Sequence, residues 1–112
     1  MNLCDSQCVP CSKGAEPMDE IEIKKYLEKI SDWNLVDYCG VRCLSRTFKF
    51  KDFRAALEFT NQVGRIAEEQ QHHPLLMTEW GKVTVNWWTH KIGGLHLNDF
   101  IMAGKTSALF DK

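Results

Sequence analysis

Residues 75–88 read LLMTEWGKVTVNWW, and their pattern predicts a β-hairpin. From Lys82 to Trp88, polar residues alternate with β-branched and aromatic residues, which is typical of a strand with two different faces. Leu75 to Trp80 is a shorter apolar run that can form the partner strand. Trp80-Gly81 is a suitable two-residue turn, because glycine adopts positive φ without strain.

Histidines flank this hairpin on both sides. The segment EEQQHHP, residues 68–74, precedes it, and Thr89-His90 follows it. If the strands pair from the turn outward, His72 faces Thr89, and His90 comes within about 5 Å, the usual cross-strand spacing. A register slip of one residue would turn His90 to the opposite face of the sheet. We therefore expect the hairpin to bring His90 back to the His72-His73 pair.

The clustered imidazoles indicate a site that exchanges protons. Histidine is the side chain that can both donate and accept a proton near neutral pH, and Pro74 biases His73 towards an extended backbone. Two other interpretations stay open. His72-His73 could be a polar loop and His90 a strand-end residue, or the imidazoles could bind a metal ion. The sequence has no H-E-x-x-H pair and no convincing set of four ligands, so we expect no metal here.

Length and charge restrict the class of protein. The chain has 112 residues, which fits one domain, and its 14 basic and 15 acidic residues give a formal net charge of −1. No basic stripe suggests a nucleic-acid partner, and no apolar run is long enough to span a membrane. A secretion signal is not evident at the N-terminus. We expect a cytoplasmic protein that binds neither nucleic acid nor membranes.

The cysteine count agrees with a reducing compartment. The five cysteines, an odd number, are Cys4, Cys8, Cys11, Cys39 and Cys43. A secreted disulfide scaffold normally has an even number. Cys8 and Cys11 form a C-x-x-C pair, and Cys4 lies nearby in the sequence. A zinc or redox role for these three thiols is therefore an alternative. The preferred interpretation is a mobile leader over residues 1–17, followed by one domain over residues 18–112.

Periodicity and capping signals place the other elements. We predict helices over residues 20–30, 52–69 and 97–109, and strands over residues 33–38 and 41–50 besides the hairpin. Asp19 and Asp52 are N-caps, and Asp99 occupies the N3 position if His96 is the N-cap of the last helix. The buried stripe of the long helix is expected to include Phe53, Ala56, Leu57, Thr60, Val63, Gly64 and Ala67.

The resulting order is α-β-β-α-β-β-α, an α+β fold with one domain. Two hairpins can form a four-stranded antiparallel sheet, and helices with one apolar stripe each should pack on one face of it. The other face is left open for a site or a partner. Trp87 and Trp88 would point to opposite faces, so one of them must avoid the main core and could contact a ligand or a subunit.

The combined motif resembles the pterin-4a-carbinolamine dehydratases. It consists of Glu68-x-x-x-His72-His73-Pro74, an aromatic residue at Trp80, then His90 and Asp99. The resemblance spans about residues 19–107. The stretches FKDF (residues 50–53) and TEWGKVTV (residues 78–85) are similar to the bacterial branch of the family that is associated with phenylalanine hydroxylase.

This resemblance implies a reaction and its setting. Members of the family dehydrate 4a-hydroxytetrahydrobiopterin to quinonoid dihydropterin and water, which recycles the pterin of aromatic amino-acid hydroxylases and links them to tetrahydrobiopterin biosynthesis. The pterin is the substrate, and no metal or other cofactor is implied. A homodimer or homotetramer is expected. The alternative is a non-catalytic regulatory or dimerisation module that acts on a hydroxylase or its expression.

The resemblance also implies roles for individual residues. His72 and His90 would be the acid/base pair, and His73 would hold the substrate beside them. Glu68 and Asp99 would bind the pterin or support the site. An indole ring, that of Trp88 or Trp80, would stack on the flat heterocycle.

Overall fold

The computed structural model describes residues 3–8 and 17–111 of the chain. Within these ranges three α-helices and four strands follow one another in the predicted order, so the expected α+β class is confirmed. The elements are α1 Glu20–Leu27, β1 Asn34–Tyr38, β2 Val41–Lys49, α2 Phe53–Gln70, β3 Leu75–Glu79, β4 Lys82–Trp87 and α3 Leu97–Phe110. Short 3₁₀ helices cover Leu3–Asp5, Glu28–Ile30 and His90–Ile92. None of the described helices is long and apolar enough to cross a membrane.

The four strands form one antiparallel sheet in the order β1-β2-β4-β3. Strands β3 and β4 pair from Glu79 opposite Lys82 to Leu75 opposite Asn86. Gly81 takes the positive φ of 80° that the tight reversal requires. The register predicted from the turn is therefore confirmed, and extending it places residue 72 opposite residue 89.

Trp87, the last residue of β4, and Trp88, which follows it, lie on opposite faces of the sheet. Val83, Val85 and Trp87 are fully buried in the core that also holds Val63 of α2 and Phe100 of α3. The neighbouring Trp88 is only half-buried. Alternation along a strand sends successive side chains to opposite faces, and the core-forming face is the one covered by the helices, as predicted.

Helix α2 begins where its capping residue predicts, but its buried stripe is rotated from the expected one. The Asp52 carboxylate accepts a hydrogen bond from the Ala55 N–H at 2.8 Å. Phe53 and Leu57, predicted to be buried, are exposed. Phe59 is buried in their place, because its ring packs 4.8 Å from that of Phe48 on β2. The stripe that faces the sheet is Ala56, Phe59, Val63 and Ala67.

Part of the N-terminal segment lies against the domain. Leu3 is buried in the main core, and the Cys8 N–H donates to the side-chain oxygen of Gln70 at 2.8 Å. The predicted boundary between a leader and the domain at residue 17 stays a prediction, since residues 9–16 lie outside the described ranges. The proposed zinc or redox group also lies outside them, because it requires Cys11 and the side chain of Cys4.

Candidate active site

The end of α2 delivers His72 to the site. Gln71 adopts the left-handed conformation, with φ 52° and ψ 42°. The His72 N–H donates to the carbonyl oxygen of Ala67 at 3.1 Å, and the Gln71 N–H donates to that of Glu68 at 3.3 Å. These two bonds form a Schellman motif, which satisfies the last carbonyls of the helix. The backbone at His72 is therefore fixed before the side chain makes any contact.

The imidazole of His72 is held on one edge and on one face. Its Nε2 lies 2.6 Å from Oδ1 of Asp99, and the two side chains are 10% and 0% exposed. The Trp87 ring is parallel to the imidazole within 8°, with 5.8 Å between the ring centroids. Trp87 is itself anchored, since its indole N–H donates to Oγ1 of Thr106 at 3.2 Å. His72 thus has little freedom to rotate.

Asp99 connects three parts of the chain. Besides binding His72, its second oxygen accepts the Thr89 hydroxyl at 2.8 Å and the His96 backbone N–H at 2.9 Å. The His96 Nδ1 accepts the Asn98 N–H at 3.1 Å, so the predicted capping role of His96 and the N3 position of Asp99 are confirmed. Every partner of the carboxylate can donate, which suits an ionised group that only accepts.

His73 and Glu68 form a second, exposed pair. The Nε2 of His73 lies 2.5 Å from Oε2 of Glu68, and the side chains are 55% and 71% exposed. Glu68 lies in the last turn of α2, and Pro74 follows His73 immediately before β3. The carboxylate therefore orients an imidazole that remains accessible to solvent and to a small molecule.

His90 and Trp88 form a third group. His90 begins the 3₁₀ helix after β4, is exposed, and stacks on Trp88 with ring centroids 4.5 Å apart and planes 15° apart. The Tyr38 ring lies 6.2 Å from Trp88 at an angle of 37°. One face of the Trp88 indole is therefore covered by His90. Trp80 is exposed at the opposite end of the hairpin, about 17 Å of strand away from the start of β3, so it does not reach His72 in the same chain.

Three pairs thus carry the residues expected from the sequence: His72 with Asp99, His73 with Glu68, and His90 with Trp88. Their catalytic and binding roles stay predictions. Sequence reasoning missed two contributors, the Thr89 hydroxyl and the Trp87 ring. The register indicated the position of Thr89 opposite His72, but it gave no reason for its hydroxyl to meet a carboxylate.

A buried thiol, that of Cys43, lies near this network. Cys43 on β2 is fully buried, and burial, then the negative charges of Asp99 and Asp37, raise the pKa of its thiol. The neutral thiol is a poor nucleophile and a poor metal ligand at neutral pH. Within residues 3–8 and 17–111, His, Cys, Asp and Glu side chains form no group of three or more that could hold a metal ion.

Comparisons with known proteins agree with one another. The family model for pterin 4 alpha carbinolamine dehydratase matches residues 16–109. A protein of Chlorobaculum tepidum, provisionally named a pterin-4-alpha-carbinolamine dehydratase, is 56% identical over 107 residues, which cover 96% of each chain. A Microcystis aeruginosa protein with the same provisional name is 50% identical over 108 residues, 96% of this chain and 93% of its own.

A solved structure extends the agreement to the fold. The crystal structure of a transcriptional coactivator/pterin dehydratase from Brucella melitensis superposes with a TM-score of 0.77 at 34% identity. The match covers 85% of this chain and 99% of that one. Sequence and fold together show that the chain belongs to the pterin-4a-carbinolamine dehydratase family, a family of hydro-lyases.

Proposed function

We propose that this protein removes water from 4a-hydroxytetrahydrobiopterin by histidine acid/base catalysis and releases quinonoid dihydropterin. The convergence of His72 and Thr89 on the Asp99 carboxylate carries the proposal. It brings the residue that precedes His90 close to His72 and gives one imidazole a buried anionic partner. The His90 ring itself contacts Trp88, and among the described residues no hydrogen bond or ring contact joins it to His72 or His73, so the approach of His90 to those imidazoles stays part of the proposal.

The reaction needs two proton transfers. The hydroxyl on C4a must gain a proton to leave as water, and the adjacent ring N–H must lose a proton as the new double bond forms. A positioned acid or base typically accelerates such a step about 10²–10⁴-fold. His72 suits the base, because the Asp99 carboxylate stabilises the imidazolium that forms when the base takes a proton.

His90 suits the acid that protonates the leaving hydroxyl. Its ring lies flat against the Trp88 indole and is open to solvent, so it can regain a proton from water after each turnover. We place the pterin ring beside the exposed edge of the stack that His90 forms with Trp88, so that the leaving hydroxyl is on the same side of the indole as His90.

Glu68 and His73 would bind and orient the substrate. They are bonded to each other and exposed, so both can exchange this bond for contacts with the polar edge of a pterin. An open groove of about 620 Å³ borders Glu68 and is also lined by Thr60, Gly64 and Leu76. Among the site residues, the groove is adjacent to Glu68 only, since His72, His73 and His90 do not line it.

The wider setting follows from the product. Quinonoid dihydropterin must be reduced before an aromatic amino-acid hydroxylase can use it again, so we place this protein in the recycling of the cofactor of phenylalanine hydroxylase. We propose that it acts in the cytoplasm as a homodimer or homotetramer. The pterin is its substrate, and the reaction as written needs no metal and no other cofactor.

The test follows the absorbance of 4a-hydroxytetrahydropterin, generated in situ by a hydroxylase, with no metal added to the purified protein. The wild-type protein should accelerate its loss, and the His72→Ala/His90→Ala double variant should reduce the rate to the uncatalysed level. Lys91→Ala, an exposed change next to His90, is the matched control and should keep the wild-type rate. An undiminished rate in the double variant would refute the assigned roles.

A second candidate is a regulatory module. One observation favours it: the Brucella melitensis protein of similar fold is titled both a transcriptional coactivator and a pterin dehydratase. A histidine double variant without dehydratase activity separates the two candidates. If it still restores hydroxylase levels in a deletion strain, regulation is independent of catalysis; if it does not, the second candidate fails.

A further inference from the structure

We propose that Thr89 is a positioning residue of the site: its hydroxyl holds the Asp99 carboxylate so that His72 presents Nδ1, not Nε2, to the proton of the substrate. This inference rests on the proposed dehydration, because it assigns the nitrogen that acts as the base. It concerns a residue that makes no contact with the reacting atoms and acts only through Asp99.

The geometry around Asp99 shows why one hydroxyl matters. Oδ2 has two donors, the Thr89 hydroxyl at 2.8 Å and the His96 N–H at 2.9 Å, while Oδ1 faces His72. The His96 N–H belongs to the capping turn of Asp99 itself and moves with it. Among the described residues, the Thr89 hydroxyl is therefore the group outside the capping turn that fixes the orientation of the Asp99 carboxylate plane.

Thr89 is well placed for this task. It is 3% exposed, and its backbone forms a bridge with Gly94, with its N–H donating to the Gly94 oxygen at 2.9 Å. The backbone is thus fixed on both sides of the residue, and the hydroxyl is aimed at Asp99 rather than at water. Because His90 comes next in the chain, the same anchor also sets where the second imidazole begins.

The carboxylate then determines the tautomer of His72. An ionised carboxylate can only accept hydrogen bonds, so the nitrogen 2.6 Å from Oδ1 must carry the proton. In a neutral imidazole, protonation at Nε2 leaves the lone pair on Nδ1. A ring flip of 180° would keep the imidazole plane on Trp87, but it would put Cε1 where Nε2 now faces Asp99 and so break that bond. Nδ1 is therefore the nitrogen available to take a proton.

A purely structural Thr89, a side chain that only fills space, gives different predictions. Thr89→Val keeps the volume and removes the hydroxyl, and Thr89→Ser keeps the hydroxyl and removes a methyl group. Thr84→Val is the matched control, because Thr84 lies on β4, five residues before Thr89, and within the described part of the chain its hydroxyl bonds to Thr47 at 3.0 Å and not to the site. The readouts are kcat and KM, and the ¹⁵N chemical shifts of the His72 ring.

We expect Thr89→Val to lower kcat about tenfold to a hundredfold, the range for losing a hydrogen bond to a charged group that orients the base, with KM changed by less than about threefold. Its ¹⁵N spectrum should show a mixture of His72 tautomers in place of the Nε2–H form of the wild type. Thr89→Ser should recover most of kcat and the Nε2–H form. Thr84→Val should match the wild type in both readouts.

Several results would overturn the proposal. They are a Thr89→Val variant with wild-type kcat and an unchanged tautomer, a Thr89→Ser variant no better than Thr89→Val, or an Nδ1–H form of His72 in the wild-type protein. The last measurement needs no variant and remains decisive if Thr89→Val does not fold. A wild type that shows the Nε2–H form but does not turn over the carbinolamine would refute the proposed function and leave the positioning geometry standing.

Discussion

His72 and His73 are neighbours in the chain, yet they are held in opposite ways. Each has its Nε2 close to a carboxylate oxygen, at 2.6 Å for Asp99 and 2.5 Å for Glu68. The first pair is buried and the second largely exposed. Water and salt compete for an exposed pair, whereas a buried donor that loses its acceptor has no substitute. Burial, and not distance, decides which imidazole the fold constrains.

This difference suits a division of labour. A proton-transfer group benefits from a fixed geometry, because small misplacements are costly for the rate. A group that binds substrate must be reachable and able to exchange one partner for another. The backbone achieves both within two residues, since the Schellman motif fixes His72 and the following Pro74 directs His73 outward.

The largest effect should come from breaking the buried pair. Asp99→Ala leaves the His72 ring, the Thr89 hydroxyl and the His96 N–H without their acceptor. Since each buried donor left unpaired costs about 1–3 kcal/mol, we expect the free energy of unfolding to fall by about 3–5 kcal/mol. Urea denaturation followed by circular dichroism measures this. A loss below about 1 kcal/mol would mean that the carboxylate is not the anchor of the site.

A smaller effect should come from the support under the His72 ring. Thr106→Val conserves shape but removes the acceptor of the Trp87 indole N–H, and Thr106 is fully buried. We expect a loss of about 1–3 kcal/mol in the free energy of unfolding, as for one buried donor left unpaired. The near-ultraviolet circular dichroism of Trp87 should change as well. An unchanged spectrum and stability would show that water or another group replaces this bond.

The exposed pair should contribute little to stability. For Glu68→Ala we expect a change of at most about 1 kcal/mol, because exposed ion pairs typically contribute 0–1 kcal/mol. Its KM for the carbinolamine should rise while its unfolding curve stays near that of the wild type. Glu69→Ala, an exposed neighbour on the same helix, is the control. A loss comparable with that of Asp99→Ala would remove the contrast between the two pairs.

The smallest effect is the response to salt. At about 1 M salt the screening length is near 3 Å, so the coupling between His73 and Glu68 should fall towards zero in a double-mutant cycle. The coupling between His72 and Asp99, measured in the same way, should persist because the pair is shielded from ions. Equal salt dependence of the two couplings would contradict the burial argument.

Local signals explain why much of the fold could be predicted. The turn at Trp80-Gly81 and the alternation after it fixed the register of β3 and β4, and Asp52 and His96 marked helix starts that the structure confirms. The prediction of the buried stripe of α2 was wrong. Leu57 and Phe59 are both apolar, and periodicity alone does not say which of them packs against Phe48.

The site was harder to predict than the fold. The motif indicated His72 and Asp99, but they are 27 residues apart, and the bond between them depends on how α3 docks beside the hairpin. Neither helical periodicity nor strand alternation carries that information. Asp99 could be explained completely as a helix-capping residue, and the structure shows that the capping bond and the bond to His72 coexist on one side chain.

The double use of Asp99 has a consequence for substitution at this position. Glutamate is a common choice at N3 of a helix, and it could close the turn with His96 equally well. Its extra methylene would displace the carboxylate by about 1.5 Å, one carbon–carbon bond, relative to a ring that is wedged against an indole. Only the shorter aspartate side chain can bind the N-terminus of the helix and the imidazole at the same time. An Asp99→Glu variant should therefore keep α3 intact and lose the alignment of His72.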